Sequence, residues 1–308
     1  MNVVPLSDAD RAGLERLRAR FGRPLAELDA RDLPLHWQQT DLRLYCRRPR
    51  DFDSGPTLGG RIRGALGHAL ADAATAPADG SAKRRTLWGW PSAFAALYGT
   101  TWESGVAPPY AIAAHDVGQV IEIRLALFGF AAIWTNEVKA ALARAVARGI
   151  AVASEAPVRA PLEILKVEAG PATLRPSAST REALLLLKGL LQIRNEESLR
   201  YTPEGFVSSL CNRISALAPW QDFRVRTAHL LKCAEAVSLS FEPPRPFAGM
   251  RHSSAQRGRN IPIAGTQGRL MLRGRIEPIV PLLRLGEIAQ IGGRTTAGYG
   301  HYELAFLP

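Results

Sequence analysis

The chain has 308 residues, is 46% apolar, and carries 39 Lys plus Arg against 28 Asp plus Glu, for a formal charge of +11. That length fits two domains of about 150 residues each, and the charge suggests a polyanionic partner. The longest apolar stretch, IEIRLALFGFAAIW, is interrupted by Glu122 and Arg124 and is too short to span a bilayer.

The N-terminus, MNVVPLSDADRAGLERLRARFG, lacks the charged head and apolar core of a secretory signal, so a cytoplasmic location is expected. Cys46, Cys211 and Cys233 show no C-x-x-C pairing, which argues against a disulfide framework or a zinc site and for reduced structural thiols. No metal and no cofactor are expected.

Ser7, followed by Asp8 and Asp10, predicts a helix to about Phe21, within an N-terminal helical extension over 1–34. WQQTDLRLYC reads as a strand, TLGGRIRGALGHALADA as a loop running into a helix, and ATAPADGSAKRR as a loop. YAIAAHD and QVIEIRLALFG read as paired strands turning at Asp116 to Gly118. Residues 130–148 predict an amphipathic helix with Trp134, Val138, Ala141, Leu142 and Ala145 inside and Lys139, Arg144 and Arg148 outside.

One more strand, at 150–154 or 162–168, would complete a βαββαβ ferredoxin-like unit. The Pro-bearing SEAPVRAPLE suggests a boundary, giving a first ferredoxin-like domain over 35–158 and a second over 159–308. The second opens with a strand at LEILKVEA and continues as a helical insertion over 178–238. Strands at 245–253 and 267–277 follow, then a short helix IVPLLRLGEIAQ, a glycine-rich loop over 292–300 and a closing strand. The expected class is α+β, with tandem ferredoxin-like domains built on antiparallel sheets.

Charge is segregated. From Glu242 to Glu277 no acid intervenes, while Arg245, Arg251, Arg257, Arg259, Arg269, Arg273 and Arg275 do. Such density self-repels unless a phosphate backbone neutralises it. A solvated face is the alternative reading.

The run RHSSAQRGRNIPIAGTQGRLMLRGRIEPIVPLLRLGEIAQIGGRTTAGYGHYEL resembles the C-terminal half of CRISPR repeat-processing endoribonucleases of the RAMP superfamily. Arg251, Ser253 and Gln256 match that family's cluster, and His252 stands where an aromatic is usual. Gly265 and Gly268 precede the strand, and Leu282 and Leu283 precede the glycine loop. Weaker similarities in LGGRIRGALGHAL, LALFGFAAIW and SLRYTPEGFVSSLCNRISAL extend the resemblance over about residues 36–308.

The resemblance implies two ferredoxin-like domains that bind a CRISPR repeat across a basic cleft, cut it once and retain the product. It implies CRISPR repeat RNA as partner, other effector subunits as further partners, and neither a membrane nor a nucleotide cofactor. A type IV subset of the family works with arginines where others use histidine.

The implied chemistry is metal-independent. A 2′-hydroxyl attacks the adjacent phosphorus and expels the 5′-oxygen, leaving a 2′,3′-cyclic phosphate and a 5′-hydroxyl. Histidine suits the proton transfers. Arginine suits charge stabilisation but stays protonated.

His68 lies in the first-helix segment near Arg61 and Arg63, and helical spacing aligns it with Arg61 and Gly64. These three, His68, Arg61 and Arg63, are the expected catalytic residues; a half-buried helix histidine is the alternative reading for His68. The expected RNA contacts are Arg251, His252, Ser253, Gln256, Arg257, Arg259 and Arg273, with Gly292, Gly293, Arg294, Thr295, Gly298 and Gly300 of the loop. His252 reads either as a base-stacking ring or as packing in place of tyrosine. His301 shares strand parity with Tyr299 and Glu303, away from Tyr302, Leu304 and Phe306. His36, His115 and His229 read as structural.

The loop IGGRTTAGYG lacks the Lys-Ser/Thr of a P-loop and any G-x-G-x-x-G after a strand. It reads as a phosphate-approaching backbone beside Arg294, or as a tight structural turn. Trp88, Trp90 and Trp102 read as a stacking surface or as packing under a loop. The leading function is a CRISPR RNA-maturing endoribonuclease; the alternative is a non-catalytic RNA-binding subunit of a CRISPR effector.

Overall fold

The computed structural model describes residues 6–75, 89–99, 105–153, 158–172, 174, 180–193, 201–253 and 259–307, with backbone alone at 251–253 and 259. Helix α1 (Asp8–Phe21) starts where expected, because Ser7 Oγ accepts the Asp10 N–H at 3.1 Å and satisfies a first-turn donor. A short strand, β1 (Ala26–Asp29), follows it.

The first unit runs β2 (Gln39–Arg47), α2 (Leu58–Thr75), β3 (Tyr110–Val117), β4 (Val120–Phe128), α3 (Thr135–Arg148) and β5 (Ile164–Pro171). Its antiparallel sheet has the spatial order β3-β4-β2-β5, the ferredoxin-like arrangement. Leu42 and Leu44 of β2 and Ile121, Ile123 and Leu125 of β4 bury one face. Ile62, Leu66 and Leu70 of α2 and Val138 and Leu142 of α3 cover them. Each such side chain contributes about 1.5–3 kcal/mol.

The second unit repeats the order. It runs β6 (Glu182–Leu187), α4 (Pro203–Leu217), β7 (Phe223–Arg226), β8 (Val237–Ser253), β9 (Arg259–Gly274), α5 (Val280–Ala289) and β10 (Tyr302–Leu307). Its sheet order is β8-β9-β6-β10, and β7 stands outside it, paired in parallel with β1. Thr202 caps α4 by accepting the Gly205 N–H at 3.0 Å, with Pro203 at the first position, where its missing N–H costs nothing.

Two expectations need correction. The strand at Ile164–Pro171 belongs to the first sheet, pairing with β2 from Thr40↔Pro171 to Cys46↔Ile164, so the crossing between units falls after 171 and not at 158. The stretch 178–238 is not purely helical, since β6 supplies a central strand of the second sheet and β7 pairs with β1. In both cases the pairing partner is more than 100 residues distant or on an unrelated element, a relationship that local patterning does not carry. Among the described residues no helix is long and apolar enough to cross a membrane.

The units dock through backbone carbonyls as well as apolar packing. Ala111, Ala126 and Phe128, on the outer face of the first sheet, join the second core. Arg213 of α4 is buried; its Nε donates to Ala289 O at 2.9 Å and its Nη2 to Tyr110 O at 3.2 Å. Burial pushes its guanidinium down to about 9. Gln290 Nε2 donates to Ile112 O at 2.7 Å, and Trp220 Nε1 to Ala107 O at 3.0 Å. Cys46 and Cys211 are buried thiols, pushed up by that burial to about 11 and about 12, in keeping with a structural role.

Candidate nucleic-acid interface

Three elements converge on a pocket of about 350 Å³: the start of α2 with Thr57, Gly60 and Arg63; the β8–β9 ribbon with Ile261 and Ile263; and the 291–300 loop with Arg294, Thr296, Ala297 and Tyr299. The ribbon exists because β9 pairs with β6 only from Arg269 to Arg273, while β8 and β9 stay paired as far as Ser253↔Arg259. It bends at a register shift between Glu242 and Arg245. Opposite that shift Gly268 has φ +135, and a Cβ there would lie 2.4 Å from Pro243 O. Beyond the bend, Thr266 exchanges two backbone hydrogen bonds with Leu191 at 2.8 and 2.9 Å. The ribbon is thereby seated over the loop.

The loop is a tight turn. Gly293 N–H donates to Gln192 O, Ala297 to Arg294 O, Gly298 to Thr295 O and Gly300 to Leu190 O, at 2.8–3.1 Å. Gly292, Gly298 and Gly300 have φ between +67 and +85, the left-handed region that only glycine enters freely. Thr295 is buried. The N–H groups of Gly293, Gly298 and Gly300 are thus donated within the protein, the arrangement of a tight structural turn. Arg294 differs: it is exposed on the pocket, with its Cζ 5.9 Å from the Tyr299 ring centroid.

Residues of α2 diverge according to their face. Arg61 is buried, donating Nη1 to Ala151 O at 2.6 Å and Nη2 to Asp53 O, with its Cζ 5.1 Å from the Phe52 ring. It does not line the pocket, and its donors tie the 53 and 151 backbones together. His68 is also off the pocket, eight residues or about 12 Å along the helix from Gly60. Burial and the neighbouring Arg159 push its pKa down.

Arg63 lines the pocket. Its Nε donates to Tyr110 Oη at 3.2 Å, its Cζ lies 5.1 Å from the Tyr98 ring centroid, and its Nη1 and Nη2 have no partner among the described residues. Arg294 likewise pairs with no carboxylate among them. Burial would weaken the Arg63 charge, but the Tyr110 and Tyr98 hydroxyls outweigh it and raise its pKa.

The remaining expected contacts distribute along the ribbon. Arg251, His252, Ser253 and Arg259 occupy its far end, in register Arg251↔Ile261, His252↔Asn260 and Ser253↔Arg259. Gln256 and Arg257 lie outside the described residues, as do Trp88 and Trp102. Arg273 is at the opposite end of β9, ion-paired with Glu182 at 3.4 Å and remote from the pocket. Trp90 packs edge-on against Phe130.

A larger cavity, about 420 Å³, opens between the units and includes Asp41, Arg43, Glu122, Arg124, Glu287 and His301. Its charges are already matched: Asp41 with Arg124, Glu122 with Arg43, Glu287 with Arg284, and Glu303 with Lys188. The His301 ring lies tilted against that of His115, 5.9 Å between centroids; burial, His115, Arg124 and Lys188 push its pKa down to about 3, so it stays neutral. An anion gains less from paired cations than from the unpaired guanidiniums of the ribbon-side pocket.

Sequence reasoning missed Tyr98 and Tyr110, the partners of Arg63, and Ile261 and Ile263. Nothing local marks them, because their role arises only when α2, β3 and the ribbon meet.

Residues 180–302 match the family model described as CRISPR-associated endoribonuclease Cas6. No curated protein matches the chain by sequence. Among solved structures, Thermus thermophilus Cas6 superposes with a TM-score of 0.54 at 12% identity, over 87% of this chain and 99% of that one. A Cas6 product complex gives 0.53 at 15% identity, over 88% and 99%. A Cas6-RT-Cas1–Cas2 complex gives 0.51 at 13% identity, over 88% of this chain and 29% of that one. These superpositions share the fold along nearly the whole chain.

Proposed function

We propose that this chain, whose residues 180–302 match the model of the CRISPR-associated endoribonuclease Cas6 family, cleaves CRISPR repeat RNA in the pocket between α2, the ribbon and the 291–300 loop. The observation that carries this reading is the pair of guanidinium groups, Arg63 and Arg294, on one pocket with no carboxylate partner among the described residues. Guanidinium forks match phosphate oxygens in pairs.

The RNA backbone lies along the ribbon, across the positions of Arg251, His252, Ser253 and Arg259, with the scissile phosphate at the pocket. Its 2′-hydroxyl attacks the phosphorus, the P–O5′ bond breaks, and water carries the two protons. The products are a 2′,3′-cyclic phosphate and a 5′-hydroxyl. Arg63 and Arg294 hold the extra negative charge of the phosphorane, the step that fixed cations accelerate most. The arginine-rich ribbon then retains the product, which is available to other CRISPR subunits.

One observation favours a second reading, a non-catalytic RNA-binding subunit: none of the described lining residues is a histidine or a carboxylate. One experiment separates the two. End-labelled repeat RNA is incubated with the protein in excess EDTA, beside RNA carrying a single 2′-deoxy nucleotide at the cut. A single cut that survives EDTA and vanishes with the deoxy nucleotide supports cleavage; tight binding with no cut in either RNA supports the binding subunit.

A further inference from the structure

Arg63 is held in a way that Arg294 is not. Its Nε donates to Tyr110 Oη at 3.2 Å, and its guanidinium lies over Tyr98, with Cζ 5.1 Å from the ring centroid. Tyr98 and Tyr110 stack on each other, 5.5 Å between centroids and 25° between planes, and Tyr98 Oη donates back to the Arg63 carbonyl at 3.0 Å. Tyr110 is itself pinned, its carbonyl accepting from Arg213 Nη2 at 3.2 Å. Arg213 comes from the second unit, and its other bond goes to Ala289 O at 2.9 Å.

The geometry divides the five N–H donors of Arg63 in two. The Nε–H goes to a buried hydroxyl, one face of the plane lies against a ring, and the four terminal N–H groups of this pocket-lining residue have no hydrogen-bond partner among the described residues. A guanidinium has no preferred direction of its own on a flexible stem. Here one hydrogen bond and one ring select it before RNA arrives, and preorganised charge is what stabilises a transition state without reorganisation.

We propose that Tyr110 is a positioning residue for RNA cleavage, aiming the terminal nitrogens of Arg63 at the scissile phosphate; this rests on the reading that the pocket cuts RNA. Because Arg213 pins Tyr110, the aim depends on the two units being docked.

The test is Tyr110→Phe, which keeps the ring and its stack and removes only the hydroxyl. The single-turnover rate at saturating repeat RNA falls by about tenfold or more, while binding of a 2′-deoxy repeat changes by less than about threefold. Added to Arg63→Ala, the same substitution has no further effect. A readout independent of cleavage is the arginine Nε–H spectrum of ¹⁵N-labelled protein, in which the Arg63→Lys variant identifies the Arg63 signal. That signal is shifted and slow to exchange in the native chain and loses both properties in Tyr110→Phe.

An unchanged Nε–H signal in Tyr110→Phe, or an undiminished rate loss in the Arg63→Ala background, overturns the proposal. A lost Nε–H signal in a protein whose native form does not cut repeat RNA sinks the cleavage reading and with it the role of the aim in catalysis. The spectrum thus tells the two failures apart.

Discussion

Gly59 lies directly beneath Gly298: a Cβ built on Gly59 would sit 2.9 Å from Gly298 Cα and 2.8 Å from Ala297 O. This backbone-to-backbone contact joins the start of α2 to the 291–300 loop, and both segments line the pocket. Gly59→Ala forces the two apart and costs about 1–3 kcal/mol. Gly64, five residues along the same helix, faces open space, and Gly64→Ala gains about 0.5–1 kcal/mol from backbone entropy. Urea midpoints of the two variants are therefore expected to move in opposite directions, and repeat cleavage to fall in Gly59→Ala alone.

The guanidinium pair separates two assignments on one helix. Arg63→Ala and Arg294→Ala are each expected to lower the cleavage rate by about 10²-fold, the loss typical of one oxyanion donor. His68→Ala, off the pocket, is expected to stay within about threefold. Single-turnover rates on the same repeat RNA decide it, and a large loss in His68→Ala with none in Arg63→Ala would return catalysis to the histidine.

Gly300 is the least replaceable residue of the loop. Its φ is +67 and a Cβ there would lie 1.7 Å from Ile291 O. Gly300→Ala combines a left-handed backbone with a backbone clash and is expected to cost about 2–4 kcal/mol. Chemical denaturation measures it, and a midpoint equal to the native protein's would show that the turn adapts.

Acid sensitivity should centre on His301. Its folded pKa, about 3, lies below the unfolded value of about 6.5, so the unfolded chain binds the extra proton. The neutral-histidine contribution is complete above about pH 6.5 and is lost as pH falls towards 3. His115, Arg124 and Lys188 face the ring and oppose its protonation. Between pH 7.5 and 4.5, urea unfolding of His301→Gln is expected to show a shallower decline in stability than the native protein; equal declines would place the acid-sensitive group elsewhere.

Much of the fold was legible locally. Ser7 marked a helix start that proved to be a side-chain cap, and the alternation in QVIEIRLALFG and the helical pattern of 130–148 identified their elements, the α-helix itself starting at Thr135 after a 3-10 turn. The allegiance of 164–171 was not legible. Its exposed Leu165 and Val167 suit an edge strand of either sheet, and only the pairing with β2 decides which. The site was half legible: the loop, Arg63 and Arg294 were named, but the tyrosines that hold Arg63 come from segments 35 and 47 residues away.

By itself the sequence determined the strand-helix-strand-strand-helix order of the first unit, the arginine-rich ribbon and the glycines of the closing turn, because periodicity, charge and left-handed backbone are local properties. Only the tertiary structure decided which arginine serves the pocket. Arg61 and Arg63 are two residues apart on a helix, about 200° around its axis, so one must face the protein interior when the other faces outward. Which is which follows from how α2 docks on its sheet and under Gly298, a long-range packing outcome that gives Arg61 to the backbone and Arg63 to the pocket.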